Sequence, residues 1–147
     1  MRKNVLHTIT LVIALMLLFS TAAYAAVNAS EYINATSAWI TRNGNDVKVN
    51  FFIVGTNTMD KIGVKYIYLY EKNGNVWSLV ETYDYTDPSY TSIMMGTSTG
   101  IKSGHVTYSG SASKSYFASC QFYAEKDGGS DTISQNTPTS HGSTPTP

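Results

Sequence analysis

The sequence predicts an all-β protein, a single antiparallel β-sandwich behind an N-terminal signal peptide. Three observations predict it. After residue 35 apolar residues alternate with polar ones, and no stretch of the mature chain keeps apolar residues at helical spacing for three turns. Turn sequences rich in Gly, Asn and Asp, such as "RNGND", "KNGN" and "KDGGSD", punctuate the alternation at short intervals. Between leader and tail lie about 105 residues, enough for one domain of two β layers.

The leader comes first. Met1, Arg2 and Lys3 precede the apolar run Val5 to Phe19, and Ser20-Thr21-Ala22-Ala23-Tyr24-Ala25-Ala26 supplies small side chains. This is the pattern of a secretory signal peptide, with Ala23-x-Ala25 placing the cut after Ala25. The competing reading is an uncleaved anchor, because the run lies near the lower limit for crossing about 30 Å of hydrocarbon. The expected organisation is 1–25 signal peptide, 26–134 β-sandwich domain and 135–147 disordered tail of Ser, Thr and Pro. The expected location is outside the cell, with membrane contact only through the signal peptide before cleavage.

Removing Arg2 and Lys3 leaves eight Lys and Arg against ten Asp and Glu, a formal charge of −2. No basic patch for nucleic acid or an anionic membrane follows from that balance. Cys120 is the single cysteine, so the chain forms no internal disulfide and must hold together by its core.

The first strand carries Trp39, "RNGND" turns the chain, and "VKVNFFIVG" follows with Val47, Val49, Phe51 and Ile53 on one face. Gly55 is expected to end that strand, and "TNTMDKIG" to carry the chain across to the next. The hairpin "KYIYLYEKNGNVWSLV" then turns at Asn73-Gly74, since both residues tolerate the positive φ of a type I′ turn. With those two as the loop, Tyr70 faces Trp77, Tyr68 faces Leu79 and Tyr66 faces Glu81. Ile67, Leu69 and Val80 take the opposite face. From "YDYTDPSY" to "TSTGIKSG" a loop, a weak strand and another loop are expected. "HVTYSG" resumes alternation, and the domain ends with a strand, a Gly-Gly turn and a short last strand.

In the penultimate strand Tyr116, Ala118, Cys120, Phe122 and Ala124 share one face, with Gly128-Gly129 in the turn that follows. This stretch resembles the end of a fibronectin type III or immunoglobulin-like domain, where a tyrosine opens a strand of "Y-x-A-x-C-x-F-x-A" type. The resemblance implies an immunoglobulin-like or fibronectin type III-like sandwich. The immunoglobulin cysteine pair is missing. From the leader to Thr132, through "VGTNTMDKIGVKYIYLYEKNGNVWSLVETY" and "YFASCQFYAEKDGGSDT", the chain is also similar to small uncharacterised secreted proteins of Gram-positive, Clostridia-like bacteria. That resemblance implies a location and no activity.

The residues give little support to catalysis. His105 is the one histidine inside the domain and sits between Gly104 and Val106, with no base-nucleophile pairing in its sequence neighbourhood. Cys120, between Ala118 and Phe122 on an apolar face, reads as a small buried hydrophobe. Glu71, Glu81, Asp84 and Asp87 cluster in sequence, but paired carboxylates need a cleft that a sandwich this small has little room for. Zinc spacing is missing. The aspartates of "DYTDPS" and "DGGSD" offer hard oxygen ligands for calcium and are equally the ordinary residues of turns. No catalytic residue, metal site or cofactor is assigned.

What remains is the aromatic row. Tyr66, Tyr68, Tyr70 and Trp77, with Tyr83 at its end, form a flat sheet face on which a sugar ring or a protein partner can rest. The competing reading packs the same rings into the core or uses them for cross-strand contacts. The expected function is a non-catalytic, secreted or surface-associated module that binds an extracellular glycan, a cell-wall polymer or a protein. The alternative is a structural, self-assembling scaffold.

Overall fold

The alternation at Val47, Val49, Phe51 and Ile53 does build a strand, but the strand does not stop at Gly55. In the computed structural model, which describes residues 30–142, β2 runs unbroken from Asp46 to Asn73, a length of 28 residues. Among the described residues the other strands are β1 (Ile33–Asn43), β3 (Val76–Asp84), β4 (Met95–Ser109), β5 (Tyr116–Lys126) and β6 (Gly129–Asn136), with one short helix, α1 (Thr91–Met94), before β4. All pairing is antiparallel, within a single six-stranded sheet. The fold is therefore all-β, in one curled sheet. The leader and its cut lie outside the described residues, as do residues 143–147.

β2 is shared by every neighbour except β6. Its first half pairs with β1 on one edge and β4 on the other. Its second half pairs with β3 and β5, and β6 extends the sheet beyond β5. Between the halves the β2–β4 register slips from Val54↔Ile101 to Met59↔Thr99, so four residues of β2 oppose Gly100 alone. An insertion of that kind bends a strand and increases its twist. The stretch expected as a crossing is thus strand, curling the chain from one part of the sheet to the next.

The curl brings one face of each half onto a common core. Val47, Val49, Phe51 and Ile53 from the first half meet Ile62, Val64, Ile67 and Leu69 from the second, all with no exposed surface. Ala118, Cys120, Phe122 and Ala124 complete the core from β5. Side chains of this class contribute about 1.5–3 kcal/mol each when fully buried. Gly63 makes room for α1: a Cβ there would lie 2.0 Å from the Met94 carbonyl oxygen.

Three sequence expectations are corrected. The hairpin loop is Gly74-Asn75, because Asn73 pairs with Val76 and Lys72 with Trp77. Only Gly74 has positive φ, at 61°, which is the signature of a II′ rather than a I′ turn. Tyr70 consequently faces Leu79. The I′ pattern occurs instead at Asp127-Gly128, where φ is 51° and 82°.

The expected first loop is present at residues 85–90, Ile93 and Met94 of the expected weak strand are helical in α1, and the expected second loop, "TSTGIKSG", is strand, part of β4 along the edge of β2. Gly104 there lies so close to the Phe51 ring that a Cβ would come within 2.8 Å of it. The expected disordered tail is ordered at its start. Gln135 and Asn136 belong to β6, and Thr137 and Ser140 continue the pairing along β5 through Ala118 and Tyr116.

Candidate functional site

Buried Ile67 and Leu69 turn the alternate residues of β2 outward, and so Tyr66, Tyr68 and Tyr70 stand half-buried on the outer face. The Tyr66 and Tyr68 rings lie 5.9 Å apart at 18°. Across to β5, Tyr70 stacks on Phe117 at 4.7 Å and 6°, and Trp77 from β3 sets an edge-on contact with the same Phe117 at 4.8 Å and 85°. Stacked and edge-on pairs of this kind add about 0.5–1.5 kcal/mol beyond area burial. The rings therefore hold one another in place, half-exposed, beside the exposed Leu79.

Tyr83 does not join them. It is 3% exposed, in the core, with its ring against Tyr90 and its hydroxyl donating to the Thr107 carbonyl at 3.0 Å. The cause is a β-bulge: Tyr70 pairs with Leu79 and Leu69 with Glu81, leaving Val80 as an extra residue. One inserted residue reverses which side chains face out, and from there Thr82 and Asp84 are outward and Tyr83 inward. Burial pushes the Tyr83 hydroxyl pKa far above its ordinary value, with Glu81 adding to the rise.

The outer face extends further than the sequence reading placed it. β5 has Tyr116, Ala118, Cys120, Phe122 and Ala124 inside, so Phe117, Ser119, Gln121, Tyr123 and Glu125 alternate outward. The same alternation that identified the inner set would have identified these. Beyond Tyr66, a second bulge sets Lys65 outside the ladder, and its ammonium lies 3.7 Å above the centre of the Tyr123 ring. Lys61 pairs with Glu125 at 3.7 Å, and Glu125 also accepts a 2.6 Å hydrogen bond from the Tyr123 hydroxyl. Burial and the Glu125 bond raise the Tyr123 pKa. At the other end the Lys72 ammonium lies 5.9 Å from the centre of the Trp77 ring.

From Lys72 to Lys61 the strip follows β2 for about 35 Å at the usual rise per strand residue. It ends at a cavity of about 540 Å³ lined by Lys61, Tyr85, Pro88, Thr91, Met95 and Thr97. Tyr85 is held there by its backbone N–H, which donates to the Lys65 carbonyl at 3.0 Å.

The remaining singled-out residues lie elsewhere. His105 is exposed on the outer face of the first half, opposite Asn50. Cys120 has no exposed surface, and burial pushes its thiol up to about 12. Asp84 accepts from the Thr86 N–H and hydroxyl, and Asp87 from the Ser89 N–H, so both carboxylates brace their own loop. Asp131 accepts from the Tyr32 N–H at 3.0 Å, which ties the start of the domain to β6.

No protein-family model and no curated protein matches the chain. Among solved structures, the crystal structure of a hypothetical protein from Pyrococcus horikoshii OT3 is similar at 16% identity, over 78% of this chain and 97% of that one, with a TM-score of 0.34. A likeness of that size does not establish a shared fold.

Proposed function

We propose that the protein is a non-catalytic binding module, secreted or loosely associated with the cell surface, that takes a glycan, a cell-wall polymer or a protein on the outer face of β3, β2 and β5. The observation that carries this reading is the placement of the aromatic row. Because Ile67 and Leu69 are wholly inside, Tyr66, Tyr68 and Tyr70 are outside, together with Trp77 and Phe117. Aromatic rings with polar tips on a rigid sheet are favoured contacts for partners that are apolar in one part and hydroxylated in another. Location rests on the leader sequence and on the resemblance to small secreted proteins of Gram-positive bacteria.

The strand order supports a fibronectin type III-like sandwich as the finer description. β1, the first half of β2, and β4 lie side by side, as do β3, the second half of β2, β5 and β6. Tyr116 at the start of β5 accepts a hydrogen bond from the Ser111 N–H at 2.8 Å, five residues upstream, in the manner of a tyrosine corner.

The experiment is retention of the purified protein on immobilised polysaccharides and on isolated cell walls. Changing Tyr68 and Trp77 together to Ala should abolish retention while leaving the cooperative unfolding transition intact. Retention that survives the double change would remove the aromatic face from the function. One observation favours the scaffold reading: β6 ends the sheet with an unbroken register to β5 and without Lys, Pro or a bulge, so that the inward-facing Asp131, bonded to the Tyr32 N–H, is its one charged side chain. Sedimentation velocity across a hundredfold concentration range tests it, and an unchanging monomer would set it aside.

A further inference from the structure

The lysines of the outer strip are arranged for a ligand that the tyrosines alone do not specify. Along the outward side of β2 the order is Lys61, Lys65, Tyr66, Tyr68, Tyr70, Lys72. The acids on and beside the strip are engaged within the protein: Asp84 by Thr86, Glu81 by the Thr82 N–H, Asp60 by the Asp127 N–H, and Glu125 by Lys61 and the Tyr123 hydroxyl. The Lys65 ammonium rests on the Tyr123 ring, which fixes its position by charge–quadrupole attraction, and no carboxylate among the described residues forms an ion pair with it. Lys61, with half its side chain exposed, lines the cavity beside Tyr85, and an exposed ion pair such as Lys61–Glu125 is weak enough to yield to another anion. A chain whose formal charge is −2 after loss of the leader thus places cations at both ends of its aromatic row.

We propose that the strip binds an acidic polysaccharide of uronate type, a polymer in which every unit carries both a sugar ring and a carboxylate. This rests on the binding-module reading above and names the ligand for it. The rings and hydroxyls of the units meet Tyr66, Tyr68 and Tyr70. Their carboxylates meet Lys65 and Lys61 at one end and Lys72 at the other, and the end of the chain enters the cavity beside Tyr85. Polymers linked by phosphate with no ring in the backbone match the lysines and leave the tyrosines unused. Neutral glycans do the reverse. Lysine also suits this pattern better than arginine would, since single charges spaced along a strand do not require a bidentate fork.

The test is calorimetric titration of the purified protein with three probes: an oligogalacturonate, the same oligomer fully methyl-esterified, and poly(glycerol phosphate). The oligogalacturonate should bind at least tenfold more tightly than its ester at low salt, and that advantage should shrink as salt rises. Changing Lys61 and Lys65 together to Gln should remove the advantage, and Lys48→Gln, on the outer face of the other half of the sheet, should not. Equal binding of acid and ester, lost in the Tyr68 and Trp77 double variant, would overturn the uronate assignment and leave the binding module standing. Binding of poly(glycerol phosphate) as tight as that of the oligogalacturonate would overturn it too. Failure of all three probes to bind, together with no retention on any wall or polysaccharide, would bring down both readings.

Discussion

At the scale of single residues, Tyr116 and Cys120 show how burial assigns roles that residue type leaves open. The Tyr116 ring is wholly buried, and its hydroxyl donates to Glu71 Oε2 at 2.7 Å while accepting from Ser111 N–H. Arg42 lies 5.1 Å from the centre of that ring and donates to the Ser111 and Lys114 carbonyls, both at 2.6 Å. Tyr116→Phe should cost about 1–3 kcal/mol in chemical unfolding, because it leaves Glu71 and the Ser111 N–H without their shared partner. Cys120 is held neutral by burial, its thiol pKa pushed up to about 12. In the folded protein it should resist iodoacetamide at neutral pH and react fully in denaturant, since only the thiolate is nucleophilic. Rapid native labelling would contradict the packing of β5.

At the scale of elements, the turns were legible in the sequence, while their registers and the strand character of the stretch after Gly55 were not. "NGN" announces a hairpin, yet both Asn73-Gly74 and Gly74-Asn75 are competent two-residue loops, and the choice between them depends on how β2 and β3 pack. Two glycines separate the physical demands. Gly74 has φ of 61° at the first central position of a II′ turn, and a Cβ added there would meet nothing within 4 Å, so Gly74→Ala should cost about 1–3 kcal/mol, from backbone strain alone. Gly63→Ala must instead displace α1, and about 1–3 kcal/mol is expected from overpacking. The end of the chain offers a third comparison. Truncation after Asn136 removes the backbone bonds of Thr137 and Ser140 to β5, and also the Thr137 hydroxyl that accepts from the buried Ala118 N–H. It should destabilise the protein by about 2–4 kcal/mol, read as a shift of the chemical unfolding midpoint.

At the scale of the whole molecule, buried acidic groups make stability fall with alkali. Burial raises the pKa values of Cys120, Tyr83, Tyr116 and Tyr123. For each the unfolded chain loses its proton first, so the unfolded state gains stability as pH rises past the ordinary thiol or phenol value. For Cys120 the effect spans pH 9 to about 12, at about 1.4 kcal/mol per pH unit. Unfolding midpoints should therefore hold through neutral pH and drop steeply above pH 9, less steeply in Cys120→Ala. The same whole-molecule packing leaves Trp77 half-exposed. With Trp39 changed to Phe, acrylamide should quench Trp77 to an intermediate degree, and bound oligosaccharide should reduce that quenching.

The alternation of β2 and β5 by itself determined that the protein is all-β, which of their side chains share a face and, among these, that Tyr66, Tyr68 and Tyr70 lie on one side and Ile67 and Leu69 on the other, because side-chain direction in a strand has a period of two set by local backbone geometry. That these tyrosines are outside was decided by tertiary structure, through the burial of Ile67 and Leu69. So was the removal of Tyr83 from their row, since the bulge at Val80 reverses the period and no local sequence feature marks it. The meeting of Lys65 with Tyr123, of Trp77 with Phe117, and of Lys61 with the Tyr85 cavity depends on pairings between segments distant in sequence. A strand pattern fixes which way a side chain points; only the curl of the sheet fixes what it points at.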